Sequence, residues 1–474
     1  MRGGAAGLTL FLLAMGLLGG ACRPGEGPGL GTARVPPRSL VILCIDTLRA
    51  DHVGVYGYGR DTTPRIDALA KQGAIFRFAV AQSDWTVPAT ASLLTSLYPS
   101  EHGAGIDGEV RLLSDRPPNQ IRSGARTLAE NLRQSAGLRT GLFSANPYLY
   151  GRFKAGFDTA VVERQGAASL TDAALAWLRA TAPGPFFLYV QYMDLHQPIE
   201  PPEPYFDYFA VAEGGRRGKE HTDWSYGQQV DLEEPSFRRF RAHRLALYDG
   251  ALRFVDAQIG RLLDELQRLG VAGSTLVVVT SDHGEEFWDH AAIERELGGD
   301  PRRQWGIGHG HSMFQELLHV PLVFEGPGVG AAGAIDCGMR QVDIVPTAMD
   351  LMGLQPPEGI RGRSLAPLVR PGSATQCTQV PLIAESPAYG PDSQALIWNQ
   401  LKLVVRNDGV VLLYDLRRDP AEKVDLSKRH VGLVASLRLM LRHELAGAVP
   451  RGKAERPELD AETRQQLESL GYIR

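Results

Sequence analysis

The sequence has few cysteines, no basic block and, near its start, only a short apolar stretch. Four of its 474 residues are cysteine, so no disulfide framework holds the fold together. The formal net charge is −4 and no run of Lys or Arg stands out, so the composition does not indicate nucleic-acid binding. The apolar stretch at residues 8–18 is too short to span a membrane. With 43% hydrophobic and 22% charged residues, the chain otherwise has the composition of an ordinary globular protein.

Residues 1–21 differ in character from the rest of the chain. Arg2 is followed by the apolar stretch and by small residues that end at Cys22, which resembles a bacterial lipoprotein signal peptide. The resemblance implies a lipid anchor on Cys22, and an ordinary cleaved signal is the alternative. Both predict export to the periplasmic side of a bacterial membrane, with residues 22–37 as a flexible tether rich in Gly and Pro.

Two hydrophobic runs each end at an aspartate. Residues 39–45 precede Asp46, and residues 275–281 precede Asp282 and His283. Runs rich in Val and Ile without polar alternation are typical of strands buried on both faces of a parallel sheet. Ligands of such sheets bind outside the carboxyl ends of the strands. The pattern therefore places two carboxylates and one imidazole at one sheet edge, a plausible metal site.

The remaining pattern predicts an α/β fold: an α/β/α sandwich around a large, mostly parallel sheet. Further strands are expected at residues 140–145, 186–191, 276–280 and 320–324, and helices at residues 128–134, 171–178 and 247–269. Two long irregular stretches, residues 197–240 and 285–308, leave from the site and suggest binding loops. The catalytic domain is predicted to span residues 38–370.

Short strands dominate the end of the chain. They are expected at residues 395–398, 402–406 and 410–414, with Asn–Asp–Gly turn chemistry between the last two. This predicts a smaller C-terminal α+β subdomain with an antiparallel sheet, residues 371–474. Cys337 and Cys377 lie in segments that look like loops and could pair in an oxidising compartment, a point that the sequence leaves open.

Most of the chain from about residue 39 onward resembles the sulfatase family of the alkaline phosphatase superfamily. The matching blocks occur in the family's order, at residues 45–52, 57–58, 62–64, 93–103, 281–284, 320–322, 343–347, 414–416 and 419–422. Each block alone is a weak signal, but together they are specific. The resemblance implies a metal-dependent ester hydrolase with a nucleophile at the start of the helix before residue 93.

At the nucleophile the chain departs from the family pattern. Sulfatases carry a Cys or Ser, followed by x-Pro-x-Arg, that is oxidised to formylglycine, whereas this chain has Thr86 and, at the arginine position, Thr90. Threonine cannot form that aldehyde, so no formylglycine is expected. Thr47 and His283 also replace a metal-binding aspartate and an asparagine of sulfatases. The set is similar to phosphoethanolamine transferases and nucleotide phosphodiesterases of the same superfamily, which attack directly with threonine.

The resemblance assigns Thr86 as the nucleophile, and Asp46, Thr86, Asp282 and His283 as metal ligands. Oxygen ligands with one imidazole favour zinc or manganese, with calcium possible. A divalent cation would also activate a weakly acidic hydroxyl. The alternatives from the residues alone are that Thr86 caps a helix and that the aspartates cap turns.

Three histidines complete the predicted site. His196 is similar to the family's leaving-group histidine, and it could donate a proton or a hydrogen bond. His309 and His311 lie where sulfatases have a substrate-binding lysine, so we assign His309 to catalysis and His311, with Thr90, to substrate binding. Plain loop histidines are the alternative in each case.

We therefore expect an exported hydrolase or transferase that acts through a covalent Thr86 ester. A small-molecule, lipid or glycan ester is the substrate, and a phosphoester or phosphonate is favoured because a threonine ester must be resolved by attack at its central atom. The alternatives are a sulfatase without formylglycine and an inactive ester-binding lipoprotein.

Overall fold

The computed structural model describes residues 35–107, 110–111, 117–209, 231–330, 333–373, 375–454, 456 and 458–469. The predicted signal peptide, Cys22 and nearly all of the predicted tether lie outside the described residues. The strands are β1 Ser39–Ile45, β2 Ala74–Val80, β3 Val110–Arg111, β4 Arg139–Ser144, β5 Thr159–Val162, β6 Phe186–Tyr192, β7 Thr275–Thr280, β8 Glu286–Phe287, β9 Ile307–Gly308, β10 His319–Val320, β11 Leu322–Glu325, β12 Gly333–Arg340, β13 Leu382–Glu385, β14 Gly390–Pro391, β15 Ser393–Trp398, β16 Leu401–Arg406 and β17 Val411–Asp415.

Helices alternate with these strands over most of the chain. The α-helices are Pro64–Ala70, Thr86–Thr95, Pro99–His102, Leu128–Ala136, Ala167–Thr181, Pro235–Arg268, Ala291–Leu297, Gln315–Leu318, Ile344–Leu351, Ala366–Val369, Val431–Ala446 and Ala461–Ser469. Single 3₁₀ turns are Ala50–His52, Gly54–Tyr56, Gly151–Lys154, Tyr205–Asp207, Ala272–Ser274 and Gln341–Asp343. Among the described residues, no helix combines the length and the apolar character needed to cross a bilayer.

The main sheet is built around β1, which is buried along its whole length. Strands β6 and β7 flank it in parallel, with Leu40 opposite Phe187 on one side and opposite Leu276 on the other. Outward from β6 follow β4 and β5, both parallel. On the other side β11 runs antiparallel to β7, and β2, β12 and the short β10 complete the sheet. The predicted large, mostly parallel sheet is confirmed.

Alternate residues of β1 enter two different cores. Leu40, Ile42 and Cys44 pack with the helices Thr86–Thr95 and Leu128–Ala136 on one face. Val41, Leu43 and Ile45 pack on the other face with Ala167–Thr181 and Pro235–Arg268. Since strand side chains alternate between faces, this sharing of one strand between two cores is the sandwich that the apolar runs predicted.

Three predicted elements differ in extent from the observed ones. The strand expected at residues 320–324 is two short strands, β10 and β11, that meet at Pro321, which lacks an N–H for the ladder. The long helix begins at Pro235, inside a stretch that we read as irregular, because proline fits the first turn of a helix. The stretch 285–308 also contains ordered elements, the hairpin β8–β9 and a helix between its strands.

The C-terminal region has a four-stranded antiparallel sheet in the order β13–β15–β16–β17. Leu396, Leu403 and Leu413 face the helix Val431–Ala446, while Val404 and Leu412 face the main core. The boundary at residue 370 stays a prediction. A disulfide joins Cys337 of β12 to Cys377, with Cα atoms 5.7 Å apart.

Candidate active site

The carboxyl ends of the central strands carry a cluster of buried polar side chains. Asp46 follows β1 directly, Asp282 and His283 follow β7, and Asn146 lies just after β4. Gln191 is the penultimate residue of β6. All five side chains are fully buried. Parallel neighbours end at the same edge, so strands that are distant in sequence deliver these groups to one place.

Asp46, Asp282 and His283 form a group that could hold a metal ion. One ligand atom from each lies within 4.8 Å of the other two. His283 Nε2 is 3.8 Å from Asp46 Oδ1 and 3.7 Å from Asp282 Oδ2. Among the described residues, Asp46 Oδ1 has no hydrogen-bond partner. Two adjacent buried carboxylates with one unsatisfied oxygen fit a divalent cation.

The electrostatics of this group point the same way. Burial, with the neighbouring Asp282 carboxylate, raises the pKa of Asp46 to about 7. Burial also raises the pKa of Asp282 to about 7. The pKa of His283 is lowered by burial, which favours the neutral ring that metal ligation requires. The group therefore lacks a positive charge to balance its two carboxylates. Among the described residues, no side chain donates a hydrogen bond to Asp46 Oδ1.

Thr86 is the first residue of the helix Thr86–Thr95, and Trp85 occupies the N-cap position. The hydroxyl of Thr86 therefore does not cap the helix, as the structural alternative would require. Thr86 Oγ1 lies 3.3 Å from His283 Nε2. A helix N-terminus also presents backbone N–H groups and a positive dipole, which suits an anionic ester beside Thr86.

Two amide side chains of the site were missed by the sequence analysis. Asn146 Nδ2 donates to Asp46 Oδ2 at 2.6 Å and to Thr86 Oγ1 at 3.2 Å. Gln191 Nε2 donates to Asp46 Oδ2 at 3.2 Å and to Asp282 Oδ2 at 3.0 Å. Each follows or ends a strand that the sequence predicted, so their place at a strand end was the available signal.

The backbone after β1 adopts an uncommon conformation. Thr47 has φ 61°, a left-handed value that costs free energy for a β-branched residue. Its N–H points to Asp282 Oδ1 at 3.3 Å, and its carbonyl accepts from the Tyr248 hydroxyl at 2.7 Å. The conformation is thus held by hydrogen bonds with two other segments, and it brings the backbone next to Asp46 to the side chain of Asp282.

His309 and His196 line the same site beside His283. The ring centroids of His283 and His309 are 4.4 Å apart, and those of His196 and His309 are 5.0 Å apart. Burial lowers the pKa of His196 to about 3 and, together with His283, lowers that of His309 well below its usual value. A cavity of about 320 Å³ is lined by His196 with polar groups such as Arg164 and Gln197.

His311 and Thr90 are not brought to this cluster. His311 Nε2 is 3.1 Å from both Glu286 Oε2 and Glu294 Oε1, so two carboxylates bind the nitrogen that we expected to meet substrate. Thr90 follows Thr86 by one helical turn and is fully buried, and its hydroxyl has no hydrogen-bond partner among the described residues. Substrate contact by Thr90 stays a prediction.

Comparison with known proteins fits this geometry. Residues 38–354 match the family model described as Sulfatase. The chain belongs to the sulfatase family. An arylsulfatase of Clostridium perfringens is 23% identical over 86% of this chain and 94% of its own length. PehA of Trinickia caryophylli, described as a multifunctional alkaline phosphatase superfamily protein, is 25% identical over 71% of this chain and 77% of its own.

The fold of this sulfatase-family chain is also found among solved structures. The phosphonate monoester hydrolase of Agrobacterium radiobacter has a TM-score of 0.68 and 20% identity, and the match covers 87% of this chain and 96% of that one. At this identity the likeness shows the fold. Taken with the family match, the chain is an ester hydrolase of the alkaline phosphatase superfamily.

Proposed function

We propose that this sulfatase-family hydrolase cleaves phosphate or phosphonate esters through a covalent Thr86 ester. The observation that carries the proposal is the position of Thr86 Oγ1, 3.3 Å from His283 Nε2 and at the edge of the buried Asp46–Asp282–His283 group. A hydroxyl beside a cation site and at a helix N-terminus has what a weak nucleophile needs for attack on an anionic ester.

The cation would be held by Asp46, Asp282 and His283, with Thr86 as a further ligand. We favour zinc or manganese over calcium because one imidazole is in the set. When bound, a divalent cation lowers the pKa of a hydroxyl ligand and neutralises charge on the ester oxygens.

The protein residues carry the steps as follows. The Thr86 hydroxyl gives up its proton to solvent and its oxygen attacks phosphorus, so an O–P bond forms and the bond from phosphorus to the leaving oxygen breaks. Asn146, within 3.2 Å of Thr86 Oγ1, orients the attacking oxygen. The negative charge of the bound ester raises the pKa of the histidines beside it, and His196 or His309, protonated in that complex, supplies a proton to the departing oxygen. Water then gives a proton back to the same histidine and attacks phosphorus, the Thr86 O–P bond breaks, and the Thr86 oxygen recovers its proton from solvent. An acceptor alcohol in place of water would make the same chemistry a transfer.

Sulfate esters are the second candidate substrate, and the family match together with the arylsulfatase relative favours them. Formylglycine sulfatases release sulfate by collapse of a hemiacetal. A threonine ester has no such route and needs a second displacement, which phosphoryl enzymes commonly use. For this reason we rank phosphorus above sulfur.

The test compares turnover of aryl phosphate, phosphonate and sulfate esters that share one leaving group. We expect kcat/KM to be higher for a phosphorus ester, Thr86→Ala to lose about 10³-fold or more on every active ester, and Thr86→Ser to retain part. Thr95→Ser is the matched control, because Thr95 lies at the other end of the same helix and donates to Ala91 O. Faster sulfate cleavage that still depends on Thr86 would return the chain to sulfate chemistry. Full turnover by Thr86→Ala would show that Thr86 is not the nucleophile.

We also propose that the protein is exported and anchored by a lipid on Cys22. The Cys337–Cys377 disulfide supports an oxidising compartment. Mass spectrometry of the membrane-bound protein is expected to find a lipidated Cys22 as the first residue, and Cys22→Ala to release the protein from the membrane. A different or unmodified N-terminus on the membrane-bound protein contradicts the anchor.

A further inference from the structure

We propose that Glu285 is a positioning residue for His309: its carboxylate binds Nδ1 of the ring, sets the tautomer and leaves Nε2 as the nitrogen available to the reaction. The inference rests on the proposed function, since it assigns how one of its histidines is held. Glu285 comes directly after the Asp282–His283–Gly284 block, and neither the family resemblance nor the comparisons assign it a role.

The geometry singles out this pair. Glu285 Oε1 lies 3.2 Å from His309 Nδ1. The Glu285 side chain is fully buried, and that of His309 is 12% exposed. Glu285 Oε2 has no hydrogen-bond partner among the described residues. Burying a carboxylate oxygen without a hydrogen-bond partner lowers the stability of the fold. A functional role is one reason for a protein to keep such a group.

The neighbouring rings show what the carboxylate changes. His283 Nδ1 lies 2.8 Å from Gly284 O, and His196 Nδ1 lies 2.8 Å from Gln197 O. All three rings therefore have an acceptor at Nδ1, so Nε2 is the nitrogen that a metal or substrate would meet. For His283 and His196 the acceptor is a neutral carbonyl. For His309 it is a carboxylate, a stronger hydrogen-bond acceptor that fixes the orientation of the ring.

A purely structural alternative is that Glu285 serves as the counter-ion of Arg244. The positive charge of Arg244 is buried nearby, and Glu285 favours its charged form. The two interpretations differ in what they predict: a counter-ion of Arg244 acts on stability whether or not His309 is present, whereas a positioning residue acts on turnover only through His309.

The experiment is a double-mutant cycle on kcat/KM with whichever aryl ester the enzyme turns over. We expect Glu285→Ala to lose about 10-fold to 100-fold in the wild-type background, as for other residues that orient an active-site histidine. In the His309→Ala background the same change is expected to cost less than about twofold, because the ring that it positions is gone. Equal losses in both backgrounds, or no loss in the wild type, would overturn the proposal.

Two variants sharpen the cycle. Glu285→Gln can still accept from Nδ1 through its amide oxygen, so it should retain more activity than Glu285→Ala; equal activity of the two contradicts the positioning role. If Glu285→Ala does not fold, the cycle is run with Glu285→Gln. Glu316→Gln is the matched control, because Glu316 Oε1 binds His290 Nδ1 at 2.5 Å in another buried pair. It should leave kcat/KM within about twofold.

The metal content of Glu285→Ala separates this role from one at the metal site. We expect the variant to retain the wild-type amount of bound metal, and loss of metal would overturn the assignment. The outcome is also distinguishable from failure of the proposed function. Full activity of Thr86→Ala would disprove the assignment of Thr86 as the nucleophile. The coupling of Glu285 to His309 could still be measured by the same cycle.

Discussion

Two buried clusters of carboxylates and histidines differ in the electrostatics of their histidines. One cluster comprises Asp46, Asp282 and His283; we propose a catalytic role for it and call it the catalytic cluster. Its carboxylate pKa values are raised and that of its histidine is lowered. The glutamate–histidine cluster comprises Glu286, Glu294, Glu316, His290 and His311. There the pKa values of both histidines are raised. Burial lowers them, but the negative charge of Glu316 raises the pKa of His290 and that of Glu294 raises the pKa of His311 by more.

The difference lies in how the imidazole nitrogens are used. His290 has Glu316 at Nδ1 and Ala421 O at Nε2, 2.9 Å away, so both nitrogens are occupied. His311 Nε2 meets two carboxylates. The positive charges of protonated His290 and His311 thus balance the negative charges of the glutamates in the same cluster. In the catalytic cluster His283 Nδ1 is taken by a carbonyl and Nε2 faces Thr86. Both clusters have the spacing of a metal site, but only the first is short of positive charge.

The largest effect is expected from breaking the catalytic cluster. Asp282→Asn should remove the bound metal and about 10³-fold or more of the activity, while the apolar sheet core preserves the fold. Glu294→Gln, the matched change in the glutamate–histidine cluster, should retain about one metal ion per chain. Elemental analysis and circular dichroism of both purified variants check this. Metal retained by Asp282→Asn, or lost from Glu294→Gln, would contradict our assignment of the metal site to the catalytic cluster.

A smaller effect, on stability alone, is expected from His311→Gln. The folded-state pKa of His311 is raised well above 6.5, so its contribution to stability is fully present below pH 6.5 and is lost as the pH rises through the folded value. The variant should therefore be destabilised by about 3 kcal/mol near pH 6, as for a broken buried ion pair, and by less at higher pH. Urea unfolding of wild type and variant between pH 6 and pH 10 measures the difference. A difference that is constant with pH would contradict a protonated His311.

The smallest effect is expected at Thr90. Its hydroxyl is buried without a partner among the described residues, so Thr90→Val, of nearly equal shape, should raise the free energy of unfolding by about 1 kcal/mol. We expect KM to change less than about threefold. Thermal unfolding and steady-state kinetics test both parts. A KM increase of tenfold or more would instead establish the substrate contact that the sequence suggested.

The sequence predicted which strand ends carry the polar residues of the site, but not all of those residues or the contacts of each side chain. Asp46 and Asp282 were proposed as ligands because each ends an apolar run, and such runs are typical of buried strands. Asn146 was missed although it follows a predicted strand, because an amide after a strand is also a common turn residue. The position of His311 beside Glu286 and Glu294 was not foreseen, because the sequence has histidines at both 309 and 311 and no local pattern says which of them turns toward the site.

The sequence by itself determined the layering of the fold and the ends at which its polar groups appear, since both depend on local hydrophobic pattern and on the alternation of strand side chains. Only the tertiary structure decided which nitrogen of His283 and of His309 is bound by an acceptor. That depends on acceptors such as Gly284 O for His283 and Glu285 for His309. It also decided how the carboxylates are held, through bonds that join residues far apart in the chain, such as Asn146 to Asp46 and the Thr47 N–H to Asp282. Such contacts depend on how distant strand ends meet at one edge of the sheet, and no local pattern encodes that meeting.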